Sequence, residues 1–220
     1  MLRLVPDRDT GAPLRVLCLG AHSDDIEIGC AGTLVRLASG PVPLDVRWVV
    51  FSARDDRERE ARESARRLLG GSAGLQIDVL NFRDGFFPDS WAAVKEAFED
   101  LKAESPGPEL VFTHYRGDLH QDHSTVSELT WNTFRDHLIL EYEVPKWDGD
   151  LGRPNLFVPL GAELAGRKAR HLVESFPSQR DKPWFGEDTF LALSRLRGVE
   201  SAADEGHAEA FYVRKAVLSV

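Results

Sequence analysis

Strand-like and helix-like segments alternate along the first two thirds of this sequence, and that alternation constrains the fold more than any other feature. The segment LRVLCLGA at residues 14–21 is almost continuously apolar, which is typical of a parallel strand covered on both faces. Residues 44–52, 75–82 and 109–114 have the same strand-like character. Regular alternation of this kind predicts an α/β fold, a three-layer Rossmann-like domain with a mostly parallel sheet.

The segments that separate these strands have apolar residues at helical spacing. They cover residues 26–40, 55–71 and 90–104, and a fourth follows the last strand at residues 122–138. Gly29 and Gly32 in the first helix look like a fragment of a dinucleotide-binding fingerprint, but the full G-x-G-x-x-G pattern is not present. This pattern therefore offers little support for a nucleotide cofactor.

The last third of the chain is less regular. Five prolines break it into short pieces, and they are Pro145, Pro154, Pro159, Pro177 and Pro183. We therefore expect an irregular C-terminal third that closes with a strand over residues 209–220. A length of 220 residues suits one substantial core. Because no repeat or low-complexity linker interrupts the chain, we expect a single domain over residues 1–220.

Composition argues against two classes of partner. Acidic residues outnumber basic ones 36 to 27 and no Lys/Arg stripe is apparent, which disfavours nucleic acid and anionic membrane. No apolar run is long enough for a membrane span, and MLRLVPDRDTGAPLR at the start lacks a signal-peptide core. Cys18 and Cys30 lie in apolar surroundings, as free thiols of a reducing compartment do. We expect a cytoplasmic protein, and the sequence leaves open whether it is a homo-oligomer.

Two polar segments follow strands of the predicted sheet. The first strand runs into His22, Ser23, Asp24 and Asp25, and the fourth into a segment with three of the seven histidines. Loops that leave parallel strands open at one edge of the sheet, so both segments should face one crevice. Adjacent carboxylates are costly to bury unless a cation compensates them. Imidazole and carboxylate are ligands of zinc and similar ions, so we predict a metal site rather than a solvated turn.

Spacing suggests a role for each member of this set. His22 and Asp25 can point to one centre, and His123 can complete a set of three ligands that leaves a position open for water. Asp24 would then lie beside the metal as a proton acceptor, and His120 could donate a hydrogen bond to a substrate oxygen. Two further carboxylates, Asp118 and Asp122, are placed to orient imidazole rings.

These two motifs together carry a family resemblance. AHSDDIEIG followed by HQDH resembles the LmbE/PIG-L family of zinc-dependent N-acetyl deacetylases, especially its small bacterial members in sugar and glycoconjugate pathways. The resemblance covers residues 15 to about 135, and AEAF near the end is also similar. It implies one Zn²⁺ held by His22, Asp25 and His123, with Asp24 as general base and His120 as oxyanion stabiliser. Ser23 and Gln121 replace prolines of the family pattern, which should alter loop stiffness more than chemistry.

The resemblance also implies a substrate-binding arginine in the charged helix, and Arg57 and Arg59 are both candidates. His114 is either a substrate contact or only a strand-end histidine. Four aromatic residues of the last third are candidates for stacking on a sugar: Trp147, Phe157, Trp184 and Phe185.

The expected reaction is hydrolysis of the acetamido group of an N-acetylglucosamine-type sugar, sugar nucleotide or glycoconjugate, with zinc or another divalent metal. Two alternatives remain open on the sequence. Two histidines and a carboxylate also describe the facial triad of non-haem Fe(II) enzymes. A catalytically inactive metal-binding or sugar-binding module is the second alternative.

Overall fold

The computed structural model describes residues 11–71, 74–103 and 106–217. Its strands are β1 (Leu14–His22), β2 (Leu44–Ser52), β3 (Gly74–Val79), β4 (Leu110–His114), β5 (Leu138–Tyr142), β6 (Leu156–Pro159) and β7 (Ala208–Tyr212). Its α-helices are α1 (Asp25–Ala38), α2 (Asp56–Leu69), α3 (Trp91–Ala103), α4 (Gln121–Thr133), α5 (Ala162–Ser175) and α6 (Glu187–Glu200). Two short 3-10 helices lie at Pro88–Ser90 and Pro177–Gln179.

The strands form one sheet in the order β3-β2-β1-β4-β5-β7-β6. Neighbouring strands are parallel from β3 to β5, and β7 runs antiparallel to both β5 and β6. The predicted α/β fold with a mostly parallel sheet is therefore confirmed. The strand order reverses between β1 and β4, and such a switch point leaves a crevice at the carboxyl ends of the two strands. The two polar segments of the sequence flank this crevice.

Helices cover both faces of the sheet because the central strands are apolar on both sides. Cys18 of β1 and the fully buried Trp48 of β2 belong to the core beneath α1, α2 and α5. Leu19 and Phe51, on the opposite face of the same strands, belong to a second core beneath α3 and α4. The result is the three-layer arrangement that continuous apolar strands predict. Within the described residues, no helix is long and apolar enough to cross a membrane.

The sequence prediction needs two corrections in the second half. The helix expected over residues 122–138 ends at Thr133, and LILEY, which follows it, is the unpredicted strand β5. The C-terminal third contains two full helices, α5 and α6, rather than short pieces only. The reason is that Pro159, Pro177 and Pro183 all lie between helices and interrupt none of them.

Two expected features extend beyond the described residues. The final strand, β7, ends at Tyr212, and the last residues of the expected segment, 218–220, lie outside the part that the structure describes. Most of the N-terminal segment in which no signal-peptide core was found, residues 1–10, also lies outside it.

Helix α1 lies unusually close to its neighbours, which explains its two glycines. A Cβ at Gly29 would lie 2.1 Å from the ring of Tyr142, and a Cβ at Gly32 would lie 2.6 Å from Leu160. The side chain of Glu209 on β7 accepts hydrogen bonds from the backbone N–H of Gly32 at 2.8 Å and of Thr33 at 2.6 Å. These glycines therefore serve close packing.

A lysine of α5 joins that helix both to α1 and to β7. Lys168 lies 2.6 Å from the Glu209 carboxylate and also donates to the carbonyl oxygen of Ile28 at 2.6 Å. Strand β7, at the end of the chain, is thus tied to the middle of α1. This is the structural role of the glutamate in the AEAF segment.

Candidate metal centre

The crevice at the switch point is lined by residues that end strands or begin helices. β1 ends at His22 and α1 begins at Asp25, so Asp24 lies in the turn between them and Asp25 is the first residue of the helix. β4 ends at His114, and His120 is the N-cap of α4, where it precedes His123 by one turn. The side chains of His22, Asp24, Asp25 and His123 are all buried. The fold thus brings both halves of the predicted site together.

The donor atoms of His22, Asp25 and His123 lie at distances that suit a tetrahedral metal ion, and a different oxygen of Asp25 faces each imidazole. His22 Nδ1 is 3.1 Å from His123 Nε2 and 3.4 Å from Asp25 Oδ2. His123 Nε2 is 3.5 Å from Asp25 Oδ1. Ligand atoms about 2.0–2.2 Å from a tetrahedral zinc are about 3.3–3.6 Å apart. The donor set and its spacing therefore fit a zinc ion.

Carboxylates fix the orientation of both imidazoles. His22 Nε2 lies 3.1 Å from Asp122 Oδ2 and 3.2 Å from Asp84 Oδ1. His123 Nδ1 lies 2.8 Å from Asp118 Oδ2. Because a carboxylate accepts and does not donate, these nitrogens carry the ring protons. When both rings are neutral, the other two nitrogens, His22 Nδ1 and His123 Nε2, face each other with lone pairs, and a proton or a metal ion between them relieves the repulsion.

The pKa shifts of these residues in the protein without a metal also indicate a site that favours a cation. Burial opposes the charged form of His22, but the carboxylates of Asp25, Asp122 and Asp84 outweigh it and raise its pKa well above the ordinary value. Burial and the neighbouring His114 lower the pKa of His123 to about 3. Burial also opposes ionisation of Asp25, yet the surrounding imidazoles hold its pKa well below the usual range. The set is a compact anionic site that takes up a proton when it has no metal.

Asp24 differs from its neighbour in both placement and charge environment. Among the described residues, one cluster of ligand atoms that could hold a metal contains Asp25, together with His114 and His123, and none contains Asp24. Burial and the charge of Asp25 raise the pKa of Asp24, and the cationic groups of Lys182 and Arg57 partly offset this. A carboxylate with a raised pKa beside a metal site is suited to accept a proton.

His120 lies on the open side of the three donors. Its ring centroid is 4.8 Å from that of His22 and 4.6 Å from that of His123. The backbone N–H of Asp122 donates to His120 Nδ1 at 3.3 Å, so the neutral ring carries its proton on Nε2. Burial and the nearby His22 lower the pKa of His120, which favours this neutral form. His120 therefore offers an N–H donor to the crevice, although its nitrogen also lies within ligand distance of His22 and His123.

The structure separates the two candidate arginines. Arg57 lies at the edge of the crevice, where its Nη1 is 2.9 Å from Asp84 Oδ2. Arg59 pairs instead with Asp56 at 2.8 Å, and its side chain is 62% exposed. Arg59 lies on the solvent face of α2, so the structure favours Arg57 of the two, and a substrate contact by either arginine stays a prediction.

The structure favours one of the two roles considered for His114. Its side chain is fully buried, and its ring stacks on His123 with centroids 3.9 Å apart. Its Nε2 lies 2.9 Å from the backbone nitrogen of Ala21 and 3.3 Å from Asp25 Oδ2. His114 therefore packs against His123 and Asp25 inside the protein, which favours the role of a strand-end histidine over that of a substrate contact.

Two of the four aromatic candidates are also excluded. Phe185 is buried between Phe176 and Phe190. Phe157 lies on β6, four strands away from β1, which corresponds to about 19 Å at the usual strand spacing. Trp147, which is 72% exposed, and the partly buried Trp184 remain available to a ligand.

Three site residues had no signal in the sequence. Asp84, which contacts His22, and Lys182, whose charge acts on Asp24, both come from irregular loops. Lys146 follows β5 and contacts Asp118. Strand ends and motif spacing identify residues near the switch point, but they do not show which distant loops fold over it.

Comparison with known proteins assigns the chain to a family. Residues 17–134, more than half of the chain, match the family described as PIG-L: GlcNAc-PI de-N-acetylase. The chain is also 34% identical over 137 residues to the uncharacterized deacetylase YaiS of Escherichia coli strain K12, a match covering 59% of this chain and 74% of YaiS. The protein therefore belongs to the PIG-L family of de-N-acetylases, and the sequence resemblance is confirmed.

Solved structures show the same fold in proteins of different activity. The N,N'-diacetylchitobiose deacetylase of Pyrococcus horikoshii has a TM-score of 0.70 at 22% identity, covering 90% of this chain and 83% of that one. The 4-carboxy-2-hydroxymuconate hydratase GalB of Pseudomonas putida KT2440 has a TM-score of 0.71 at 15% identity, covering 94% and 98%. Because one is a deacetylase and the other a hydratase, the fold alone does not define the reaction.

Proposed function

We propose that this protein is a zinc-dependent amide hydrolase that removes the acetyl group from an N-acetylated sugar or sugar conjugate. The observation that carries the proposal is that two adjacent carboxylates lie in different environments. Asp25 lies among the imidazole nitrogens at ligand distances, while Asp24 is buried beside them with a raised pKa. A module that only bound a metal would not need this second carboxylate.

In this reaction a water oxygen bonds to the acetamide carbonyl carbon, and the bond from that carbon to nitrogen breaks. His22, Asp25 and His123 would hold the zinc ion, which would serve as a Lewis acid toward the carbonyl and lower the pKa of a water molecule. Asp24 accepts the proton of the attacking water and returns it to the departing amine nitrogen. His120 donates its Nε2 proton in a hydrogen bond to the oxygen that becomes negative. The products are acetate and a free amine.

Two features of the crevice support a sugar substrate. The guanidinium of Arg57 lies at its edge, with polar donors suited to sugar hydroxyls. Trp184 belongs to the same segment as Lys182, whose charge acts on Asp24, and an aromatic ring offers a stacking surface. One deacetylase with this fold, that of Pyrococcus horikoshii, acts on N,N'-diacetylchitobiose, an N-acetylated sugar. Membership of a de-N-acetylase family also favours hydrolysis over Fe(II)-dependent oxygen chemistry.

An acetate-release assay on metal-stripped and zinc-reloaded protein tests this function. We expect acetate and free amine from N-acetylglucosamine, its nucleotide diphosphate form, N,N'-diacetylchitobiose or a glycosylated aglycone, and recovery on addition of zinc. Acetyl-lysine peptides are the control for substrate class. Full activity in rigorously metal-free protein would refute the metal dependence, and release only from acetyl-lysine peptides would refute the sugar assignment. Fe(II)-dependent oxygen consumption would favour the facial-triad alternative.

A further inference from the structure

The loop after β5 carries a lysine whose ammonium group is almost fully buried. The side chain of Lys146 is 6% exposed, and its Nζ lies 2.6 Å from Asp150 Oδ2 and 3.0 Å from Asp118 Oδ1. A third carboxylate, that of Asp148, lies 3.8 Å away. Burying an ammonium group is costly unless it is paired and hydrogen-bonded. The ion pairs of Lys146 are therefore buried, unlike the exposed ion pairs of α2.

Both close partners of Lys146 reach the segment that carries His120. Asp118 Oδ1, which faces Lys146, also accepts a hydrogen bond from the backbone N–H of His120 at 2.9 Å. Asp150 Oδ2 accepts one from the backbone N–H of Leu119 at 2.8 Å. Residues 118–120 are therefore held at two consecutive peptide groups by a unit of three side chains, Lys146, Asp118 and Asp150, which we call the Lys146 clamp.

The same unit reaches the metal centre through Asp118. Because Oδ1 of Asp118 is engaged by Lys146 and His120, its Oδ2 is left to accept from His123 Nδ1 at 2.8 Å. That hydrogen bond keeps the ring proton on Nδ1 and the lone pair on Nε2, the atom that faces His22 and Asp25. A carboxylate free to rotate would hold neither the His123 ring nor the His120 peptide in place.

We propose that Lys146 is a positioning residue for the deacetylation reaction, acting through Asp118 to orient the metal-facing nitrogen of His123 and through the clamp to hold His120 over the crevice. This inference rests on the proposed function for its catalytic consequence, and on the geometry alone for its effect on the imidazoles. Partners of a metal-ligating histidine typically contribute about 10–100-fold to metal affinity. We expect the Lys146 clamp to contribute within that range.

The test compares Lys146→Met with Lys146→Arg and with Arg197→Met. Arg197 is the matched control, since it is equally buried and pairs with Glu143 at 2.7 Å and Glu200 at 2.8 Å, outside the metal centre. We expect Lys146→Met to lower zinc affinity about 10–100-fold in chelator competition and to move the ring ¹⁵N signals of His123 in zinc-free protein. Lys146→Arg should recover part of both effects. Arg197→Met should lower stability without changing either readout.

A second variant keeps the proposal testable if Lys146→Met does not fold. Asp150→Asn leaves the ammonium group on Asp118 but weakens the hold on the Leu119 peptide, so kcat should fall more than zinc affinity. Unchanged zinc affinity and ¹⁵N signals in a folded Lys146→Met protein would overturn the proposal. If Lys146→Met is unfolded, an unchanged kcat in Asp150→Asn overturns the proposal. If the wild type is also inactive, unchanged ring ¹⁵N signals of His120 in Asp150→Asn overturn it. A wild type inactive on every N-acetyl sugar, with the imidazole signals still shifted in Lys146→Met, would reject the proposed function and support the positioning role.

Discussion

Replacing Asp122 with asparagine should weaken both the fold and the metal centre. The Asp122 carboxylate is fully buried and accepts from the backbone N–H of Gly85 at 2.6 Å, from that of Phe87 at 3.1 Å and from His22 Nε2 at 3.1 Å. An amide has one accepting oxygen, so its NH₂ group must face one of these three donors. A hydrogen bond to a charged group contributes about 1.5–3 kcal/mol. We expect the free energy of unfolding to fall by about 2–4 kcal/mol, which in a protein of this size lowers Tm by roughly 5–15 °C.

The pH dependence gives this prediction a second test. Burial alone would raise the pKa of Asp122, but His22 and the two backbone N–H groups reverse the shift and lower it. A carboxyl with a lowered pKa in the folded state stabilises the protein above its unfolded pKa of about 3.9, and that stability is lost as pH falls through the folded value. The difference between wild type and Asp122→Asn should therefore shrink below about pH 4.

Urea denaturation followed by tryptophan fluorescence, together with zinc affinity from chelator competition, measures both effects. Asp136→Asn is the control, because that side chain is 93% exposed and contacts only His137 among the ion pairs of the described residues. Zinc affinity should fall about 10–100-fold in Asp122→Asn, since the His22 ring loses its orientation. An unfolding midpoint and a zinc affinity equal to those of the wild type would refute the reasoning.

Three further experiments, with five variants, test separate features of the protein. Asp24→Asn should keep zinc bound while turnover falls about 10²–10⁴-fold, and Asp25→Ala should lose zinc. Metal content and acetate release, measured on both variants, would show whether the roles of proton acceptor and metal ligand are reversed. Gly29→Ala places a Cβ against the Tyr142 ring and should lower the free energy of unfolding by about 1–3 kcal/mol. In the control Gly166→Ala, the new Cβ lies near only the flexible end of an arginine, and the free energy of unfolding should rise by about 0.5–1 kcal/mol. Equal denaturation midpoints for the two variants would contradict this expectation. Burial lowers the pKa of His171 from 6.5 to about 4, so wild-type stability should fall as pH drops across that window and His171→Asn should show a shallower fall.

The sequence could predict the centre of the fold because its signals there are local. Strand β1 is apolar on both faces, and the polar turn at its end identifies the carboxyl edge of a parallel sheet. His22, Asp25 and His123 could be grouped because they follow the two strands that flank the switch point. The distances between their donor atoms required the structure.

What the sequence could not predict depends on contacts between distant segments. Strand β5 is short and follows α4 closely, and the helix predicted over residues 122–138 extends to its first residue, so no separate strand is predicted there. The side chain of His114 could point into the crevice or beneath it, and only its stacking on His123 decides between the two. Lys146 and Asp84 carry no periodic signal, since their roles come from loops that meet only in the folded chain.

The contact of Glu209 with α1 has a consequence for how the protein folds. The helix that presents Asp25 is completed by a carboxylate 177 positions later in the chain, on β7. Contacts between residues so far apart in sequence form slowly, because a long loop must close before they stabilise anything. During synthesis, the segment with Asp25 emerges long before its partner on β7. The metal-binding pocket should therefore mature among the last parts of the protein, and proteolytic loss of β7 should abolish zinc binding without removing any ligand.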